Sequence, residues 1–294
     1  MAVTRACFVL LLPCTAALAQ TAPPPLELRT GAGWVVWPAP VPGGTARRVA
    51  ALDSAVTWRD SAPGLRIGAF EIRSAGRRNR VAIVEMDAAR FRFALGLAAP
   101  TARRTAADWL AADSGLVLAA NTGLFRENGT PQGLVLVEGR RRSALAGWLD
   151  AVVVITDGTL GVTDVAGALA LPPGASAFQT LPALVRDGRV VFGASTGLRL
   201  SRTHRDRRIT LCLGDDGRVR LLLSNDDVFG PAASRIPVGL TIPEQAAIAA
   251  GAGCRDAVAL DGGISAQIAV RAGGHVVRMP GWRRVPLMLL AAAR

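Results

Sequence analysis

The chain has 294 residues, 50% of them hydrophobic and 19% charged, which excludes a disordered protein and fits one large domain or two small ones. The 34 basic residues outnumber the 22 acidic ones for a net charge of +12, yet every basic residue is Arg and the chain has neither Lys nor Tyr. Loss of Lys alongside abundant Ala and Gly reads as coding bias with a generally basic surface. Aromatic content of 5% leaves little for base stacking, so nucleic acid is not expected as a partner. With two His, a three-His zinc site is excluded.

In chain order, residues 1–19 have the form of a cleavable signal peptide. Arg5 gives the positive start, the run from Ala6 to Leu12 the apolar stretch, and Ala17-Leu18-Ala19 the small-x-small cleavage site. The apolar run is too short to span a bilayer, and no later stretch reaches the roughly 18 apolar residues a spanning helix needs. The expected product is exported, with no integral membrane segment. Residues 20–62 are Pro- and Gly-rich and read as a peripheral leader, in which the stretch from Gly33 to Gly44 reads as an edge strand or a lid and Trp34 and Trp37 as an apolar clasp.

Regular structure is expected from Leu65, with residues 63–294 forming one domain. The segments around Ile67, Val81 and Phe93 read as strands. A helix is expected after Thr101 as N-cap, then a buried strand ending at Asn121. Hairpins are expected about Asp187-Gly188 and Asp216-Gly217. Thr241 and Glu244 form a capping box that opens a helix ending at Gly251. A buried strand then runs into Asp261-Gly262-Gly263, and three more strands follow. The pattern predicts an α+β fold of mixed β-sheets, with many strands and a few packed helices in a single domain. Cys212 and Cys254 form an even pair that an oxidising compartment would join and a reducing one would leave as buried thiols.

Three spots carry chemistry. Asp261 ends a buried strand where a carboxylate is rigidly held, and Gly262 and Gly263 let a ligand approach the backbone. Asn121 also ends a buried strand, before Thr122 and Gly123, and its amide can donate to and accept from a sugar hydroxyl. Arg202 lies in a basic stretch before a strand, where a guanidinium suits phosphate. The plain alternatives are a hairpin turn, an Asx-turn and an exposed basic loop. Nearby His204 could act as a general acid, although an exposed His is the simpler reading.

Together and in order, these motifs resemble the phosphodiester glycosidase family, the uncovering-enzyme-like and exopolysaccharide-related domains. The elements are Asn121, Gly123 and Phe125; Pro131, Gly133 and Leu134; Gln179, Pro182, Leu184 and Gly188; Arg202-Thr203; and Leu260, Asp261, Gly262, Gly263 and Ser265. Thr122 stands where the family has the first Gly of its turn. The resemblance implies hydrolysis of a sugar-1-phosphodiester at the anomeric carbon, with no cofactor and no obligatory metal. It implies Asp261 as the catalytic carboxylate, either nucleophile or general base, and Arg202 as the phosphate holder. Asn121, Gln179 and Ser265 would bind substrate, and Gly123, Gly262 and Gly263 would present backbone. A second carboxylate would come from Glu127, Asp187 or Asp226, which the sequence does not rank. The competing reading is a non-catalytic glycan-binding or envelope-assembly protein of the same fold.

Overall fold

The computed structural model describes residues 25–38, 42–192, 201–225 and 239–294. The signal-like segment, residues 193–200 and Asp226 lie outside these residues.

Three β-sheets make up the described fold. The largest runs, in spatial order, through Arg189–Val190, Ala183–Arg186, Cys254–Ala259, Ile209–Gly214, Arg218–Asn225, Arg77–Asp87, Leu65–Ser74, Leu26–Thr30 and Gly33–Trp37, with Thr57–Ala62 also paired to Leu65–Ser74. The second runs through His275–Met279, Ile268–Ala272, Leu116–Asn121, Leu287–Ala293 and Phe91–Leu97. The third runs through Thr159–Thr163, Ala151–Thr156, Ser176–Thr180, Val135–Val137 and Arg140–Ser143. Among the described residues every pairing is antiparallel, so the expected mixed sheets are corrected to antiparallel ones. Several neighbours, such as Leu65–Ser74 with Arg77–Asp87 and Ile209–Gly214 with Arg218–Asn225, are joined by short hairpins, which need no crossover helix.

Strand periodicity explains the layers. Along Ile209–Gly214, Ile209, Leu211 and Leu213 enter the core between the large sheet and the other two, where Phe91, Phe93, Leu118 and Phe178 also lie. Cys212 points to the opposite face, into a second core with Leu222, Ala257 and the helix Ile242–Gly251. Side chains two apart share a face, so the large sheet is apolar on both sides and covered on both. Cys212 and Cys254 form a disulfide between two paired strands of this sheet.

The segment expected to be a peripheral leader is instead part of this second core. Leu26–Thr30 hydrogen-bonds along Leu65–Ser74, and Leu28, Trp37 and Leu52 are buried. Trp37 stacks on Phe70 with ring centroids 6.1 Å apart, and its Nε1 donates to Ala247 O at 3.0 Å. The Pro-rich composition concealed the strand Leu26–Thr30, while Gly33–Trp37 forms the edge strand that its sequence allowed.

Both hairpin turns form where the sequence puts them, with Asp187 and Gly188 at φ 47° and 69°, and the capping box of Thr241 and Glu244 is present. The other helix, Ala106–Ala112, is capped by Thr105 rather than Thr101, because Asp108 completes a capping box only from that position. It covers the outer face of the second sheet.

Candidate active site

The site is built where the chain leaves the large sheet at Ala259 and enters the second at Ile268. The intervening turn carries Asp261, Gly262, Gly263 and Ser265, the last closing a short 3₁₀ turn.

Asn121, at the end of the central strand of the second sheet, holds this turn shut. Its Nδ2 donates to Asp261 O at 2.6 Å, and its Oδ1 accepts from Gln267 N at 2.8 Å. Asp261 N donates to Thr122 O at 2.8 Å. Asn121 is thus brought to Asp261 across 140 residues, but it grips backbone, so it positions the turn rather than presenting its amide to a sugar. Gln179 departs from the direct binding expected of it more completely. Its Oε1 accepts from Leu134 N and Ala146 N at 2.7 and 2.8 Å, and its Nε2 donates to Ala146 O and Leu149 O at 3.0 and 3.2 Å. That saturates the amide and leaves nothing for a ligand.

The glycines serve close packing. A Cβ on Gly123 would lie 2.5 Å from Gln179 O, and one on Gly262 would lie 2.7 Å from Arg207 O. Gly263 has φ +58° and donates its N–H to Arg207 O at 2.8 Å. The segment 204–208 therefore lies along the turn. Thr180 Oγ1 donates to Ala259 O at 2.6 Å, so all three sheets meet beside Asp261.

Asp261 is half-buried, and desolvation pushes its carboxyl from the usual 3.8 up to about 7. A hydrogen bond from Ser265 and the charge of Arg283 pull the other way, and the charge of Asp206 adds to the rise. The Arg283 guanidinium carbon lies over the Phe125 ring at 5.0 Å, and the Arg283 backbone N–H donates to Ile264 O at 3.1 Å. Thr122 Oγ1 is buried with no hydrogen-bond partner among the described residues. Trp282 and Ile264 are exposed on the same turn assembly, joined by Trp282 N to Ile264 O at 2.8 Å.

Arg202 is exposed, with its guanidinium carbon 5.3 Å from the Phe192 ring. The residue that abuts the strand Ile209–Gly214 is Arg208, six residues later, and its Nε donates to Leu240 O at 2.9 Å. Burial lowers the Arg208 pKa. Of the second carboxylates expected, Asp187 is a hairpin turn residue whose N–H donates to Asp256 Oδ1 at 3.0 Å. Glu127 sits in the loop after Phe125 with its carbonyl held by Arg103 at 3.1 Å. The carboxylate that reaches the turn is Asp206, which no motif marked: its approach depends on the bare Cα of Gly263, fifty-seven residues away in sequence. Among the described residues no three His, Cys, Asp or Glu side chains group to hold a metal ion.

The turn and the strands that hold it fall within a known glycosidase-type domain family. The phosphodiester glycosidase (NAGPA) family model matches residues 114–291, more than half of the chain, and the protein belongs to that family. No curated protein matches it. Among solved structures, the zebrafish N-acetylglucosamine-1-phosphodiester alpha-N-acetylglucosaminidase catalytic domain, auto-inhibited by its pro-peptide, is similar at a TM-score of 0.59 and 17% identity. That match covers 86% of this chain and 94% of the other. A hypothetical protein from Synechocystis is similar at the same TM-score and identity over 81% of this chain, which spans 64% of that protein's length. At such identities the likeness is one of fold.

Proposed function

We propose that the protein is an exported hydrolase that cleaves a sugar-1-phosphodiester in envelope or exopolysaccharide glycan metabolism. The observation that carries the reading is Asp261: a half-buried carboxyl held near pKa 7 on a turn clamped by Asn121, beside the cation Arg283. A carboxyl with that pKa transfers protons at neutral pH, which favours acid–base work over the nucleophilic role. In this reading Arg283, whose charge acts on Asp261, meets the phosphate, ahead of the exposed Arg202. Export is supported by the signal-like start and by the Cys212–Cys254 disulfide, which suits an oxidising compartment.

The test is release of sugar from a panel of chromogenic sugar-1-phosphodiesters by the wild type and by Asp261→Asn. Loss of a catalytic carboxyl costs several kcal/mol of transition-state stabilisation, so turnover should fall by roughly three orders of magnitude. An Asn variant as active as the wild type refutes the role of Asp261. A wild type inactive on the whole panel favours the glycan-binding reading.

A further inference from the structure

We propose that Asp206 is the second carboxyl of the reaction, taking a proton from the attacking water while Asp261 gives one to the departing phosphate oxygen. The inference rests on the sugar-phosphodiester reading and assigns the partner that the family motifs leave open. A Cβ on Gly263 would lie 2.9 Å from Asp206 Oδ2 and 3.5 Å from its Oδ1, so the carboxylate rests on the turn two residues from Asp261.

The backbone there is fixed from several sides. Asp206 exchanges both hydrogen bonds with Leu240, at 3.1 and 2.9 Å. Arg205 anchors the preceding residue in the second core, through Glu244 at 2.9 and 3.0 Å, Ser74 Oγ at 3.0 Å and Gly239 O at 3.1 Å. Asp206 Oδ1 accepts from Arg207 N at 2.8 Å, and Oδ2 lies 3.7 Å from Nε2 of the exposed His204. A largely buried bidentate anchor thus ends in a carboxylate on the turn that carries Asp261, where its charge opposes ionisation of that second carboxyl. Stability alone does not favour that arrangement, because like charges oppose each other's ionisation. The groups facing Asp261 are Ser265 on its own turn, Arg283 on the following loop and Asp206 on the segment 204–208.

The step balances. Water oxygen bonds the anomeric carbon as the bond from that carbon to the phosphate oxygen breaks. The electron pair leaves with the phosphate, which takes the Asp261 proton, and the water proton goes to Asp206. The products are a free sugar and a phosphate monoester, and exchange with solvent resets both carboxyls. In a half-buried site a second negative charge on the leaving phosphate is disfavoured, and the Asp261 proton offsets it.

Asp206→Asn keeps the oxygen that accepts from Arg207 N, so the fold is expected to survive, and a thermal melt checks it. Carboxyl-carbon NMR, assigned by comparison with Asp261→Asn, should show the Asp261 midpoint moving down in Asp206→Asn, with no substrate needed. Turnover should fall about a thousandfold and be partly restored by azide with a sugar azide as product, which a structural defect would not allow. An unmoved Asp261 midpoint, turnover within tenfold of wild type, or absence of azide rescue overturns the proposal. Inactivity of the wild type with a moved midpoint sinks the glycosidase reading and the proton transfers with it, leaving a carboxyl pair of another use.

Discussion

Replacing Trp37 tests whether the N-terminal strands belong to the core. The indole is 1% exposed, stacks on Phe70 and donates to the carbonyl of Ala247. Trp37→Ala removes a fully packed ring, and Trp-to-Ala changes in cores cost about 3–5 kcal/mol. Gly251 supplies the second arm, because a Cβ there would run into the Trp37 ring. In the wild type, Gly251→Ala should therefore cost about 1–3 kcal/mol by overpacking. In the Trp37→Ala background the space is open, and Ala should be neutral or should gain up to about 1 kcal/mol from helix propensity. The assay is urea unfolding followed by circular dichroism for both single variants, the double variant and Trp148→Ala. Trp148 is 47% exposed, and its removal should change stability by less than about 0.5 kcal/mol. If Trp37→Ala costs no more than Trp148→Ala, or if the two core changes simply add, the segment is not packed as described.

Asp261 should leave a signature in stability as well as turnover. Its folded pKa, about 7, lies above the ordinary 3.8, so the fold favours the protonated form. Stability from this group is then fully present below about pH 4 and is lost as pH rises to about 7. Thermal melts across that range should show the loss in the wild type and a flatter profile in Asp261→Asn; parallel profiles would contradict the burial of this carboxyl. The Cys212–Cys254 disulfide closes a separation of 42 residues, for which chain entropy gives about 4 kcal/mol. A double Ser variant whose unfolding midpoint matches the oxidised wild type would count against that contribution. Asn121→Ala should weaken activity more than it weakens folding, because it frees the turn at Asp261 and Gln267 while the strand below stays paired. Unchanged turnover in that variant would show that the clamp is not needed for the site.

Apart from the N-cap expected at Thr101 and found at Thr105, local signals in the sequence reported local structure faithfully. Thr241 with Glu244, and the Asp-Gly pairs at 187 and 216, act within four residues of chain, and each formed what its chemistry demands. The strands ending at Asn121 and at Ala259, two residues before Asp261, were legible as apolar runs that give way to a polar residue. What these polar residues do was less legible. Asn121 and Gln179 looked like ligands because free amides suit sugars, but each spends its hydrogen bonds on backbone far away in sequence. Asp206 carries no motif, and only the folded approach to Gly263 makes it a candidate. The strand at Leu26–Thr30 was missed for a related reason: five residues hold too little alternation to outweigh a Pro-rich flank, whereas the edge strand Gly33–Trp37 was legible in its Trp-Val-Val-Trp run.

The clamp at Asn121 also changes how damage elsewhere in the molecule should be felt. The Asp261 turn spans from one sheet to another, and Asn121 fastens both of its ends to the middle strand of the second. Any slippage between the two sheets is thereby passed straight to Asp261. Core residues such as Leu118 and Leu211, which never approach a substrate, set the alignment of the two sheets through their packing. Turnover would then serve as a gauge of how well the interior interlocks. Volume-altering changes at such positions would dim catalysis while the chain still melts as a folded protein.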